Sequence, residues 1–147
     1  MIYLISLIVF LLDFASKFWA LKVLVPHDPV PVFPLFNLYL TFNKGVSFSM
    51  FSAQSAAGVW ALIALTGGIS ALIIYFIQKE KELLTRIGLA MVLGGAVGNL
   101  IDRIRFGSVV DFLDFYLGNY HWPAFNIADS AICFGAALIL FQYIRRK

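Results

Sequence analysis

The residues able to do chemistry are few and sit in apolar company. Asp13 and Lys17 lie within one hydrophobic run, Asp102 and Arg103 end another, Asp111 and Asp114 fall in GSVVDFLDF, and Asp129 stands near the start of a last run. A charge in or beside a bilayer core is costly unless it is paired or faces a polar cavity, so each is a candidate functional residue. Two carboxyl groups within hydrogen-bond reach cannot both ionise easily. One then acts as a base on a water while the other, still protonated, polarises a carbonyl. Such a pair hydrolyses a peptide bond with no metal and no nucleophilic side chain.

Spacing says which of these groups share a helix face. Asp13 precedes Lys17 by four residues, so the two can neutralise each other on one helix. A structural ion pair is the first reading, and a share in the wall of a polar site is the second. Asn99 and Asp102 stand three apart beside Arg103, and Asn126, Asp129 and Ser130 open the last run in the same fashion. Asp111 sits between Val110 and Phe112, where a carboxylate is either partly desolvated or held by partners. A solvated loop suits Asp114 better. Spacing alone leaves Asp102 and Asp114 open as alternatives to Asp111 and Asp129.

Other chemistries are poorly supplied. A zinc peptidase needs ligands such as HExxH, whereas His27 and His121 stand apart and read as surface or interface histidines. A serine–lysine arrangement would draw on Ser47 or Ser49 near Lys44, with nothing obvious to desolvate the lysine. The single Cys133 allows no internal disulfide and no cysteine metal site, and reads as a buried structural thiol. No metal and no cofactor is expected. Gly94 and Gly98, in GxxxG spacing beside Gly95, read as close helix packing, since no glycine-rich loop follows a strand and opens a helix.

The elements that must position these residues follow from composition. Of 147 residues, 61% are hydrophobic and 13% charged, far more apolar than a soluble domain. Apolar runs at 2–22, 56–77, 84–101 and 124–144 each approach the ~20 residues that cross a bilayer as a helix. The chain therefore reads as one α-helical membrane domain over 1–147, with four transmembrane helices and both termini on one side. Lys79, Lys81 and Arg86, with Arg145, Arg146 and Lys147, outweigh Lys22, Lys44, Arg103 and Arg105, which puts the termini and the 78–83 turn in the cytoplasm. The first run lacks a basic residue ahead of it and a clean small-x-small site, so it is expected to stay as an anchor helix.

Two stretches then face outward, 23–55 and 104–123. Pro26, Pro29, Pro31 and Pro34 forbid a regular helix, and FNLYLTFN alternates Phe36, Leu38, Leu40 and Phe42 with Asn37, Tyr39, Thr41 and Asn43, which predicts a strand with one apolar face in a small sheet on the membrane surface. The 104–123 stretch is expected to be a loop covering the acidic pair. A net charge of +3 with no basic patch interleaved with aromatics gives no nucleic-acid surface. A transporter would spread titratable groups across the bilayer, yet here they gather at one side. A scaffold without chemistry leaves the cost of the outer aspartates unexplained.

The runs LLDFASK, FNKGVSFSMF, GGAVGNLIDRIRFGSVVDFLDF and FNIADSAI, in this order across nearly the whole chain, resemble the motifs of the bacterial lipoprotein signal peptidases. The resemblance implies a membrane aspartic endopeptidase of the bacterial inner membrane, working at the extracytoplasmic face. Its substrate is the diacylglyceryl-modified prolipoprotein, cut just before the lipidated cysteine. By the same resemblance Asp111 and Asp129 are catalytic. Asn43, Gly45, Asn99, Asp102, Arg103, Asn126 and Ala128 organise the site or contact substrate and globomycin-type inhibitors, and Asp13 and Lys17 match the family's first motif. Lys44 and Ser47 occupy variable places. Membrane lipid is the remaining partner expected.

Overall fold

A computed structural model describes residues 1–45 and 55–146. Ser47, Ser49 and Lys147, with most of the second half of FNKGVSFSMF, lie outside the described residues. The elements are helix α1 (Ile2–Val23), strands β1 (Val30–Phe33) and β2 (Phe36–Asn43), helices α2 (Ala56–Lys79) and α3 (Leu83–Phe106), strands β3 (Val109–Leu117) and β4 (Tyr120–His121), and helix α4 (Ile127–Arg145). All four helices are long and apolar enough to cross a membrane. Their outward faces carry exposed Leu4, Leu11, Leu72, Phe134 and Leu140, which suits a lipid surround rather than water.

Helix α3 is the most enclosed of the four, because small residues let its neighbours come close. A Cβ on Gly94 would lie 2.6 Å from the Ser6 carbonyl oxygen, one on Gly88 2.6 Å from that of Gly135, and one on Gly95 would meet the Ala128 carbonyl. The close packing expected of Gly94, Gly95 and Gly98 is present, with Gly98 set against the Asp13 carboxylate. The third helix runs further than the apolar run that announced it, to Phe106 rather than 101, because Asn99, Asp102 and Arg103 are buried among partners. Gly107, at φ 68°, then closes it by donating to the Arg103 carbonyl. The fourth helix starts later than expected, at Ile127. Pro123 and the Asn126 cap, whose side chain accepts from the Asp129 N–H, set that boundary.

Both chain ends and the α2–α3 turn share one end of the bundle. Ile2 and Ile5 pack on Ile73, Ile77, Ala90 and Leu93, while Gln142 donates to Glu82 and Arg146 pairs with Glu82 at 2.8 Å. The sheet occupies the other end, joined to the last turns of α1 through a core of Ala20, Leu24, Leu40, Val110 and Phe112.

That sheet is antiparallel in the order β1-β2-β3-β4. Its β2 limits match the expected strand, but its faces do not. A register shift between Leu38 and Thr41 re-phases it, so Asn37 and Leu40 are the buried residues and Phe42 is exposed. The 104–123 stretch is not a loop. Val109 to Phe112 are buried in succession, so this strand lacks the alternation that marks a half-exposed one, and VVDFLDF is read by continuous burial instead.

Gly88→Val is expected to destabilise the folded protein by about 1–3 kcal/mol, since backbone on the facing helix cannot yield. Gly67→Ala, with open space around it, is expected to be neutral or stabilising by about 0.5–1 kcal/mol. Thermal unfolding of both variants in detergent checks the contrast, and equal effects would contradict the packing argument.

Candidate active site

Asp111 stands on β3 and Asp129 in the first turn of α4, and one asparagine ties them together. Asn126 caps α4 by accepting the Asp129 N–H on Oδ1 at 2.9 Å. Its Nδ2 then faces the strand and donates to Asp111 Oδ1 at 2.7 Å and to the Val110 carbonyl at 3.2 Å. The capping geometry that starts the helix thus also ties the Asp111 carboxyl to the backbone of Asp129. Asn43, at the end of β2, donates to Asp111 Oδ2 at 3.1 Å, and Asn99 on α3 donates to Asp129 Oδ1 at 2.8 Å.

Every other site residue expected from the sequence joins the same network. Lys17 pairs with Asp13 at 2.7 Å and Asp102 at 2.9 Å, and donates to Asn99 Oδ1 at 3.0 Å. Asp13 also accepts the Ala128 N–H, and Asp102 accepts the Val110 N–H. Arg103 donates to the carbonyls of Asn99 and Gly45, both at 3.2 Å, while Gly45 donates its N–H to Asn43. Both readings of Asp13 and Lys17 therefore hold, since the ion pair is itself part of the site's wall.

The alternatives that spacing left open separate here. Asp102 is occupied by Lys17 and a backbone N–H. Asp114 is buried, contrary to the solvated-loop expectation, and faces Asn37 at 3.0 Å and His121 at 2.9 Å. Asn37 is a polar partner that the sequence reading missed; its place on the polar parity of FNLYLTFN was the available signal. His121 is exposed, stacked on Tyr116, and His27 meets the Tyr39 hydroxyl. Among the described residues no three His, Cys, Asp or Glu side chains converge as a metal-ligand set.

Asp129, half-buried, opens onto an apolar groove of about 460 Å³ lined by Asn43, Trp122, Phe125, Ile132, Cys133 and Phe134 among others. Cys133 is thus exposed rather than buried. Asp111 lies behind it, 1% exposed. Burial first and the charge of Asp129 second push the Asp111 carboxyl up to about 7, against the hydrogen bonds from Asn43 and Asn126, which lower it. The Asp111 carboxyl then carries its proton about half of the time near neutrality, which suits a pair that shares one proton.

The signal peptidase II family profile matches residues 5–145. The chain is 46% identical to the lipoprotein signal peptidase of Polynucleobacter necessarius subsp. necessarius (strain STIR1), covering 97% of this chain and 88% of that one. It is 44% identical to the lipoprotein signal peptidase of Burkholderia vietnamiensis (strain G4 / LMG 22486), covering 97% and 86%. Among solved structures it resembles a bacterial membrane enzyme determined by the in meso method, with a TM-score of 0.87, 29% identity, and coverage of 97% and 86%.

The raised Asp111 value fixes the sign of a pH effect. Its contribution to stability is fully present below the ordinary 3.8 and is lost as pH rises to about 7, because the unfolded chain ionises there first. The stability of Asp111→Asn relative to wild type is therefore expected to climb between about pH 4 and 7 and to stay level above that. Melting midpoints in detergent across this range check it; a difference independent of pH would contradict the burial argument.

Proposed function

The chain belongs to the signal peptidase II family, and on that premise we propose that Asp111 and Asp129 are the catalytic pair with which it hydrolyses the signal peptides of prolipoproteins. It is a multi-pass membrane protease that removes signal peptides from prolipoproteins. The observation that carries the site assignment is the shared Asn126, which holds one carboxyl on β3 and the N–H of the other's residue on α4 at the mouth of an apolar groove.

In the reaction a water sits between the two carboxyl groups. The ionised aspartate takes a proton from the water as its oxygen bonds to the scissile carbonyl carbon, and the protonated aspartate gives its proton to the carbonyl oxygen. The tetrahedral species collapses when the oxygen returns its proton, the C–N bond breaks, and the departing amine takes the proton first removed from water. Carboxyl roles are thereby restored for the next turnover. Burial of Asp111 and the apolar groove keep bulk water from competing for these protons.

The substrate class agrees with the setting. A prolipoprotein carrying a diacylglyceryl group stays in the bilayer, so its scissile bond, just before the lipidated cysteine, arrives sideways at a groove open beside α4. Asn43 and Gly45, held by Arg103, flank the dyad and would meet the substrate backbone. Globomycin-type inhibitors would fill the same groove. The whole of 1–147 acts as one peptidase domain in the bacterial inner membrane, with both termini cytoplasmic and the sheet end, bearing the site, at the extracytoplasmic face. A transporter is disfavoured by the gathering of the acids at one end of the bundle rather than across it.

Asp111→Asn and Asp129→Asn are each expected to reduce cleavage of a lipidated prolipoprotein peptide by about 100-fold or more while the protein stays folded in detergent. Near-normal cleavage by either variant would remove that residue from the pair. EDTA is expected to leave the rate unchanged, and inhibition reversed by added zinc would assign the enzyme to another class.

A further inference from the structure

Lys17 lies 3% exposed in the C-terminal third of α1 and touches neither dyad carboxylate among the contacts it makes. An ammonium has three N–H donors and no acceptor. It pairs with Asp13 Oδ2 at 2.7 Å and with Asp102 Oδ2 at 2.9 Å, and as a third contact donates a hydrogen bond to Asn99 Oδ1 at 3.0 Å. The third bond has a consequence for chemistry two bonds away. A side-chain amide has one accepting end and one donating end, and a donor-only neighbour decides which end it receives. Asn99 must turn its oxygen to Lys17, where the Asn126 Nδ2 also donates at 3.2 Å. Its NH₂ is thereby forced toward Asp129, whose Oδ1 lies 2.8 Å away and must accept.

Asn126 is locked by the same logic. Its oxygen receives the Asp129 backbone N–H, again a pure donor, and its NH₂ meets Asp111 Oδ1 and Asn99 Oδ1. Each dyad carboxyl therefore faces an amide N–H whose direction cannot be reversed without stranding a donor against a donor. Lys17 sets the direction of Asn99, and the backbone of α4 sets that of Asn126.

Resting on the assignment of Asp111 and Asp129 as the catalytic pair, we propose that Lys17 is a positioning residue for the reaction: its buried ammonium imposes the hydrogen-bond direction of Asn99, so that Asp129 presents an unprotonated oxygen inward and keeps its other oxygen for water and substrate. The shared proton is consequently absent from Asp129 Oδ1 in the resting site. The ammonium also acts at longer range, as its charge lowers the proton affinity of Asp111. Pairing with Asp13 and Asp102 offsets the cost of holding this side chain away from water.

The test reads pH profiles of kcat/KM for a lipidated prolipoprotein peptide with the full-length enzyme in detergent. Lys17→Met is expected to lose at least tenfold in rate and to move the acid limb upward by a pH unit or more, while Lys17→Arg, which keeps the charge, leaves the limb within half a unit of wild type. An unmoved limb in a folded Lys17→Met protein overturns the proposal. Should Lys17→Met not fold, Asn99→Asp decides: the introduced carboxyl, held by Lys17, can mimic the amide donor only while protonated, so activity survives at acidic pH and falls steeply as pH rises. Asn99→Leu, lacking any donor, is inactive throughout. A loss in Asn99→Asp that is the same at every pH, or no loss at all, overturns the proposal. Asp129→Asn run alongside keeps the two claims apart. Near-normal activity there removes the dyad itself, whereas its inactivity combined with unshifted profiles in the Lys17 and Asn99 variants removes only the role given to Lys17.

Discussion

Withdrawing aspartates from water inside an apolar bundle is the constraint from which the rest of the molecule follows. Asp13, Asp102, Asp111 and Asp114 are all 4% exposed or less, and a buried carboxylate is tolerated only with charge partners or hydrogen-bond donors in reach. Asp13 and Asp102 share one ammonium, and each accepts a backbone N–H besides. Asp111 receives two amide N–H groups and no cation in direct contact, and burial first, with the charge of Asp129 second, raises its proton affinity.

Helix packing serves that end. The polar groups to be joined come from α1, α3, β2, β3 and α4, and they meet only because the helix backbones approach closely along glycine. Gly98 is the clearest case: a side chain there would collide with the Asp13 carboxylate that accepts the Ala128 N–H. The molecule is therefore organised opposite to a soluble enzyme, with polar side chains gathered inside and leucine and phenylalanine spread over the outer helix faces. The sheet caps this interior at one end, and β3 delivers Asp111 into it from above α3.

Much of this was legible from residue order. The Asp13–Lys17 pair follows from helical spacing, the four spans from run length, and the strand limits at Phe36 and Asn43 from alternation. The polar clusters around Asn99 and Asn126 announced a meeting of two helix ends, though not their partners. What spacing did not reveal was which carboxyl on VVDFLDF turns inward, because a strand buried on both faces has no alternation to show its phase. Cys133 was misjudged for a different reason: in a membrane helix an apolar neighbourhood marks contact with lipid as readily as contact with protein. The Asn37–Asp114 pair is set by the register of β2 against β3, which the spacing within either strand does not give.

The bond from the Ala128 N–H to Asp13 joins residues at opposite ends of the chain, and it bears on biosynthesis. Chains emerge N-terminus first, so Asp13 and Lys17 enter the bilayer long before α3 or α4 exists, with only each other for neutralisation. Asp129 rides on the last helix, so the acidic pair comes into being only when that helix inserts. The polar network that Asp13 begins is therefore closed only when the last helix has been made.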